Sequence, residues 1–263
     1  MKIIDMVKKA SKTLDDVSNK IDNFINPPKK NAVSYTVTTY TTTYPNPYAN
    51  AVPYNVFKDA YIKNKAKNYP KSYVVIDTET TGLEPEIDRI IEISAIKYVN
   101  GTPVASFSQL VNPRVQISQF ITNLTGITNQ ELANKPTIEY VLPYFFQFIE
   151  DYVLVAHNMP FDIKMIACES YRSNIRMCEN KLLDTVPLIK RVISPTQIPN
   201  YKLETLKHFF GVNITSHRAL ADCEMCNIVY RHFLTLNEHK NKKLVLLDEE
   251  TGEIIELDKK DWN

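Results

Sequence analysis

Glycine is scarce in this chain, 5 in 263 residues; tryptophan occurs once, and there are 4 cysteines. So little glycine excludes collagen-like and glycine-rich low-complexity architectures. So few cysteines exclude a small disulfide scaffold, and the thiols are expected to be reduced, as in a cytoplasmic protein. No run of about 18 apolar residues is present, which excludes a helical membrane span. Lys2, Asp5, Lys8 and Lys9 leave no room near the N-terminus for the apolar stretch of a secretory signal. The first 70 residues also lack arginine and glutamate. Eleven lysines face five aspartates there, a surplus of six positive charges; with a formal +1 over the whole chain, the remainder carries a surplus of five negative ones. An acidic body with a basic arm suits nucleic acid only if some of its carboxylates are committed to metal ions, because phosphates are ordinarily met by Lys and Arg.

With 44% hydrophobic and 23% charged residues the sequence describes a soluble globular protein of one main domain with extensions. Ile3, Val7, Ala10, Leu14, Val17, Ile21 and Phe24 recur alternately four and three apart, which predicts an amphipathic helix over residues 1–26, ended by Pro27-Pro28. So narrow a seam suits a coiled coil or docking onto a partner, or else packing on the chain's own domain. Its polar face mixes Asp15, Asp16 and Asp22 with lysines, which argues against a membrane surface. Residues 31–57 carry no charge and are rich in Tyr, Thr, Asn and Pro, so residues 27–70 read as a linker with a basic end.

The body, residues 71–238, opens with the apolar strand Tyr73-Val74-Val75-Ile76. A second strand over 89–99 turns at Asn100-Gly101 into a third over 104–111. Helical patterns follow at 118–133 and 137–150, then a buried strand at 153–156 and a helix from about Phe161. A short strand at Leu182-Leu183 precedes helices near 186–193 and 202–210, the latter capped by Gly211, and a final helix runs over about 216–236. A hairpin followed by alternating strands and helices predicts an α/β domain with a mixed sheet. Residues 239–263 read as a small hairpin tail in which Trp262 is an anchor.

Three places put acids where an apolar pattern does not want them. In Val75-Ile76-Asp77-Thr78-Glu79, residues two apart share a face of the strand, so Asp77 and Glu79 project together and repel unless a cation lies between them. All-oxygen ligation of that kind suits Mg²⁺ or Mn²⁺. In Ala156-His157-Asn158-Met159-Pro160-Phe161-Asp162 a strand gives way to a helix, and the crevice beyond the carboxyl ends of such strands is the usual site in an α/β sheet. Capping that helix is the competing account of Asp162. The third place is His217-Arg218-Ala219-Leu220-Ala221-Asp222, where Asp222 borders the stripe Ala219, Cys223, Cys226, Tyr230 and Phe233. His217 lies about 140° around an ideal helix from Asp222, so it shares a site with it only from the first turn or the preceding loop.

Together, Asp77-x-Glu79, Asp162 in an AHNxxFD context, and His217 with Asp222 five positions on resemble the three motifs of the DEDDh 3′–5′ exonucleases. That is the superfamily of the bacterial DnaQ-like proofreading subunits, with an RNase H-like fold. The resemblance spans about residues 72–236 and includes Leu124-Thr125-Gly126-Ile127-Thr128; Arg218 stands where the alternative subclass has tyrosine. It implies a mixed five-stranded sheet flanked by helices. It also implies two Mg²⁺ (or Mn²⁺) held by Asp77, Glu79, Asp162 and Asp222, with His217 taking a proton from the attacking water. Nucleoside 5′-monophosphates would be released from a single-stranded or frayed 3′ end of DNA, in proofreading or repair, with RNA as the alternative substrate. A catalytically silent nucleic-acid-binding module on the same fold is the reading from a different class. By the same resemblance Leu83 would wedge between the terminal bases, while Thr80 and Phe161 would line the terminal nucleotide. Core packing is the competing account of Leu83 and Phe161.

Cys223-x-x-Cys226 falls on the helix's apolar stripe without a second matching pair, so both read as buried structural thiols. His157 is expected to support the site without ligating a metal. His208, His232 and His239 are expected to face solvent.

Overall fold

The computed structural model describes residues 60–212, 218–241, 244–247 and 254–257. The helix expected over 1–26, the linker up to residue 59, His217 and Trp262 all lie outside them. The described elements, in chain order, are α1 (Ala60–Asn64), β1 (Tyr73–Thr80), β2 (Ile90–Val99), β3 (Thr102–Leu110), α2 (Gln119–Thr125), α3 (Asn129–Ala133) and α4 (Ile138–Ile149). They continue with β4 (Leu154–Ala156), α5 (Met159–Arg172), β5 (Leu182–Asp184), α6 (Thr185–Ile189), α7 (Leu203–Phe210), α8 (Ala219–Asn241), β6 (Leu244–Leu247) and β7 (Ile254–Leu257).

Five strands form one sheet in the order β3-β2-β1-β4-β5, with β1 antiparallel to β2 and parallel to β4. The β2–β3 turn falls on Asn100 and Gly101, both at positive φ (51° and 76°), the left-handed geometry of a two-residue hairpin. Side-chain alternation along β1 decides which layer each residue serves. Val74 and Ile76 pack with Phe145 of α4 and Ile163 and Ile166 of α5, whereas Tyr73 and Val75 pack with Cys223, Cys226, Tyr230 and Phe233 of α8. The sheet is thus a middle layer between α4–α5 and α8, as the mixed α/β reading predicts. No described helix is long and apolar enough to cross a membrane.

Three boundaries differ from the sequence expectation. The helix expected over 118–133 is two helices: Gly126, at φ 71°, ends α2, and Thr128 and Glu131 begin α3 with a reciprocal capping box. Residues 60–70, the basic end of the expected linker over 27–70, lie on the domain. Tyr61 packs against the α5 side of the core, the amide of Ala66 donates to the Leu182 carbonyl at 2.7 Å, and Tyr69 meets Phe233 edge-on at 4.9 Å. Aromatic anchors and one backbone bridge do this, so the lysine-rich composition concealed it. The last helix extends to Asn241, and beyond it β6 and β7 pair antiparallel.

Candidate active site

The alternation that sends Tyr73 and Val75 toward α8 continues to Asp77 and Glu79, the odd-numbered positions at the carboxyl end of β1. Opposite them, the first turn of α8 carries Asp222. One carboxylate oxygen from each of Asp77, Glu79 and Asp222 lies within 4.8 Å of the others, and all three side chains are half-buried. Thr78, of opposite parity, points to the α5 layer, where its Oγ1 donates to Asp162 Oδ1 at 2.8 Å. Asp162 is 3% exposed in the first turn of α5. It therefore stands on the α5 side of the strand, outside the group of three acids, and its charge reaches Asp77.

Burial pushes Asp77 well above the usual carboxylate range, and the charges of Asp162, Asp222, Glu79 and Glu92 add to it. Burial, then Asp222, Glu92 and Asp162, carry Glu79 up to about 8, with Arg218 opposing. Asp162 rises to about 7 through burial, against the hydrogen bond from Thr78. A site in which Asp77, Glu79 and Asp162 all resist ionisation lacks positive charge. Its donor set, clustered oxygens without nitrogen or sulfur, fits hard divalent cations.

Around the cluster the chain is tightly tied. Thr80 is buried and its Oγ1 donates to the Gly82 carbonyl at 2.6 Å. Thr81 Oγ1 and the amide of Glu84 donate to the two oxygens of Asp88 at 2.7 and 2.8 Å, and a Cβ on Gly82 would collide with that carboxylate. From α5, Arg172 donates to the carbonyls of Pro85 and Asp88 at 2.6 and 3.1 Å. The loop so fixed leaves Leu83 83% exposed, which removes core packing as its explanation. Phe161 is half-buried and packs against the α4–α5 core, so packing accounts for part of that ring.

His157 bonds through both ring nitrogens, to Thr185 Oγ1 at 2.7 Å and to the Tyr201 carbonyl at 2.6 Å. A carbonyl only accepts, so Nε2 carries the hydrogen, and burial holds the ring's pKa down, in keeping with a neutral supporting residue. Cys223 and Cys226 are buried against Val75, Ser94 and Thr185, as structural thiols should be. His208 is exposed beside Glu204. His232 departs from the expectation: it is partly buried against the ring of Phe210 at 4.8 Å, and burial lowers its pKa.

Sequence reasoning missed Glu92. It lies opposite Glu79 in the β1–β2 register and is 1% exposed. Its signal was a lone charge within Ile90-Ile91-Glu92-Ile93, a strand otherwise buried on both faces.

Residues 74–230 match the family model described as "Exonuclease". The chain belongs to the exonuclease family. Over 153 residues it is 43% identical to a DNA polymerase III PolC-type protein of Caldanaerobacter subterraneus subsp. tengcongensis, a match covering 58% of this chain and 11% of that one. Over 159 residues it is 41% identical to a putative bifunctional exonuclease/endonuclease protein of Mycobacterium tuberculosis, covering 57% of this chain and 24% of that one. The chain thus spans a quarter or less of the length of these relatives. Among solved structures, Exonuclease X in complex with 5′-overhanging duplex DNA matches with a TM-score of 0.51 and 27% identity, over 63% of this chain and 93% of that one. E. coli Exonuclease I in complex with a dA16 oligonucleotide shares the fold, with a TM-score of 0.53 at 20% identity over 65% and 44% of the two chains. Divalent-metal dependence follows from membership of the exonuclease family, and Asp77, Glu79 and Asp222 are the acids placed to meet it.

Proposed function

We propose that this chain is a 3′–5′ exonuclease that hydrolyses the terminal phosphodiester of DNA and releases nucleoside 5′-monophosphates. The observation that carries the reading is the convergence of Asp77, Glu79 and Asp222 at the carboxyl end of the central strand of an exonuclease-family domain. The duplex DNA bound by Exonuclease X supports DNA as the substrate. The PolC-type relatives support a polymerase setting, with residues 1–26 as the segment that would dock.

In this reading Asp77, Glu79 and Asp222, with Asp162 beside them, would hold two Mg²⁺ or Mn²⁺ ions. When bound, such ions stabilise the charge that builds on the entering and departing oxygens during in-line displacement at phosphorus. The chain's own residues do the rest. Asp77 and Glu79 ionise together only against positive charge, so the site is competent for phosphate only when loaded. Thr78 holds Asp162 by a hydrogen bond that favours the ionised form. His217 accepts the proton of the attacking water. Leu83, projecting from its tied loop, meets the terminal base pair or the last stacked base, with Thr80 and Phe161 beside the terminal nucleotide. Contacts of this kind follow shape and stacking, so sequence preference is slight.

Digestion of 3′-labelled single-stranded DNA, mismatched duplex DNA and short RNA side by side tests the proposal. The expected outcome is mononucleotide release from the DNA substrates with Mg²⁺ or Mn²⁺, abolished by chelation. Asp77→Ala should lower it by about a thousandfold, the loss of roughly 4 kcal/mol of transition-state stabilisation. Absence of mononucleotide from every substrate, or an Asp77→Ala variant as active as the parent, overturns it; release from RNA alone moves the assignment to that substrate.

A further inference from the structure

We propose that Glu92 and Arg218 form a clasp that sets Asp222 at its distance from Glu79, making both positioning residues for the metal site; the inference rests on the nuclease reading above. Four donors converge on the buried carboxylate of Glu92. Arg218 Nε and Nη2 donate to its two oxygens at 3.2 and 3.1 Å, the amide of Ala219 donates to Oε2 at 3.3 Å, and Ser108 Oγ donates to Oε1 at 3.4 Å. The Arg218 bonds form a two-point fork on a planar acceptor, the geometry that fixes direction as well as distance. The Ala219 amide is one of the orphan donors at the start of α8, so Glu92 caps that helix from a neighbouring strand.

The clasp closes a mechanical circuit. Glu79 and Glu92 are register partners on adjacent strands, Glu92 grips the start of α8, and the amide of Asp222 bonds the Arg218 carbonyl at 3.1 Å one turn on. Asp222 then returns to Glu79 through carboxylate oxygens within 4.8 Å. Without Glu92, the bonds from Arg218 and the Ala219 amide to β2 are gone, and the separation of the two acids loses that restraint. A charge-assisted fork is shorter and stronger than hydrogen bonds between neutral groups. Arg218 is 51% exposed, and its positive charge, which reaches Glu79, is balanced by Glu92, so the clasp adds no net charge to a site that must attract cations.

Metal affinity measured without substrate separates positioning from electrostatics. Mn²⁺ binding to the full chain is followed by calorimetry or by loss of the free-ion EPR signal, for the parent and for Glu92→Gln, Arg218→Gln and Arg218→Lys. Circular dichroism and the melting temperature of each variant report its folding. Positioning predicts that all three bind Mn²⁺ about tenfold or more weakly, the scale typical of groups that orient a metal's ligands, and that excess Mn²⁺ restores turnover. A purely electrostatic role predicts opposite signs, Glu92→Gln weaker and Arg218→Gln tighter, with Arg218→Lys unchanged; that pattern, or no change in any variant, overturns the clasp. Should Glu92→Gln fail to fold, the two half-exposed Arg218 variants decide alone. A parent protein that binds no Mn²⁺ overturns the nuclease reading and the clasp with it, whereas binding that the variants leave untouched removes the clasp only.

Discussion

Thr78 and Asp77 are neighbours in sequence with opposite duties, because a strand sends successive side chains to opposite faces. Asp77 enters the cluster with Asp222, and Thr78 turns to the α5 layer and donates to Asp162. Its hydroxyl is the foremost of the groups that oppose the rise of Asp162, which burial carries to about 7 in spite of them. Thr78→Val keeps the shape and removes the donor. Asp162 should then hold its proton to higher pH, and the acidic limb of kcat/KM against pH should move upward. Near neutral pH the rate should fall roughly tenfold for each unit of that shift, with little change well above it. A limb that stays in place shows Asp162 to be ionised by something other than Thr78. Asp77, Glu79 and Asp222 were legible in the sequence because period-two and helical spacing assign faces directly. Glu92 escaped the same reasoning because its partners, Arg218 and the Ala219 amide, are more than 120 positions away along the chain.

Helix α5 serves the site at both ends. Its first turn carries Asp162, and its last turn carries Arg172, which reaches the carbonyls of Pro85 and Asp88 and so fixes the loop that presents Leu83. Glu169 holds this junction. It is buried, accepts the Ile90 amide at 3.2 Å and Arg89 Nη1 at 3.4 Å, and lies 3.5 Å from Arg172. Removing one partner of a buried ionic group leaves the others uncompensated. Glu169→Ala is expected to lower stability by about 3–5 kcal/mol, read as a reduced urea midpoint at unchanged slope. A midpoint within error of the parent would show that the arginines find other partners. This network was not legible from the sequence, because the partners of Glu169, Arg89 and the Ile90 amide, lie 80 and 79 positions away along the chain. The hairpin at Asn100-Gly101 and the core strand Tyr73-Val74-Val75-Ile76 were legible, since local turn chemistry and a continuous apolar run each specify their structure without a distant partner. The divided helix at Gly126 and the docking of residues 60–70 depend on one glycine's backbone and on Tyr61 and Tyr69 finding the core, contacts that composition does not encode.

At the scale of the whole molecule, the acids of the site give stability a component that falls with pH, opposed below about pH 6.5 by the buried imidazoles of His157 and His232. Among the described residues Asp77, Glu79 and Asp162 are all raised on folding, Glu79 from 4.5 to about 8 and Asp162 from 3.8 to about 7. Below about pH 3 both folded and unfolded chains hold these protons and the site imposes no penalty. Between the unfolded values and the folded ones the folded chain binds more protons than the unfolded chain, so by linkage stability falls as pH rises through that window. The half-exposed position of Glu79 screens part of its share, which leaves a total on the order of a few kcal/mol. The metal-free protein is therefore expected to melt at lower temperature at pH 8 than at pH 5.5. Divalent cations bind the ionised acids and compete with protons, so Mg²⁺ or Mn²⁺ should raise the melting temperature most at pH 8 and least at pH 5.5, flattening the profile. Asp77→Asn removes one charge from the cluster, so it should flatten the metal-free profile by itself and lose most of the rise on adding metal. Scanning the melting temperatures of both proteins from pH 5 to 8.5, with and without Mn²⁺, checks each step. A metal-free melting temperature that climbs across that range would mean that the acids are already neutralised within the protein and that no cation is needed to hold them together.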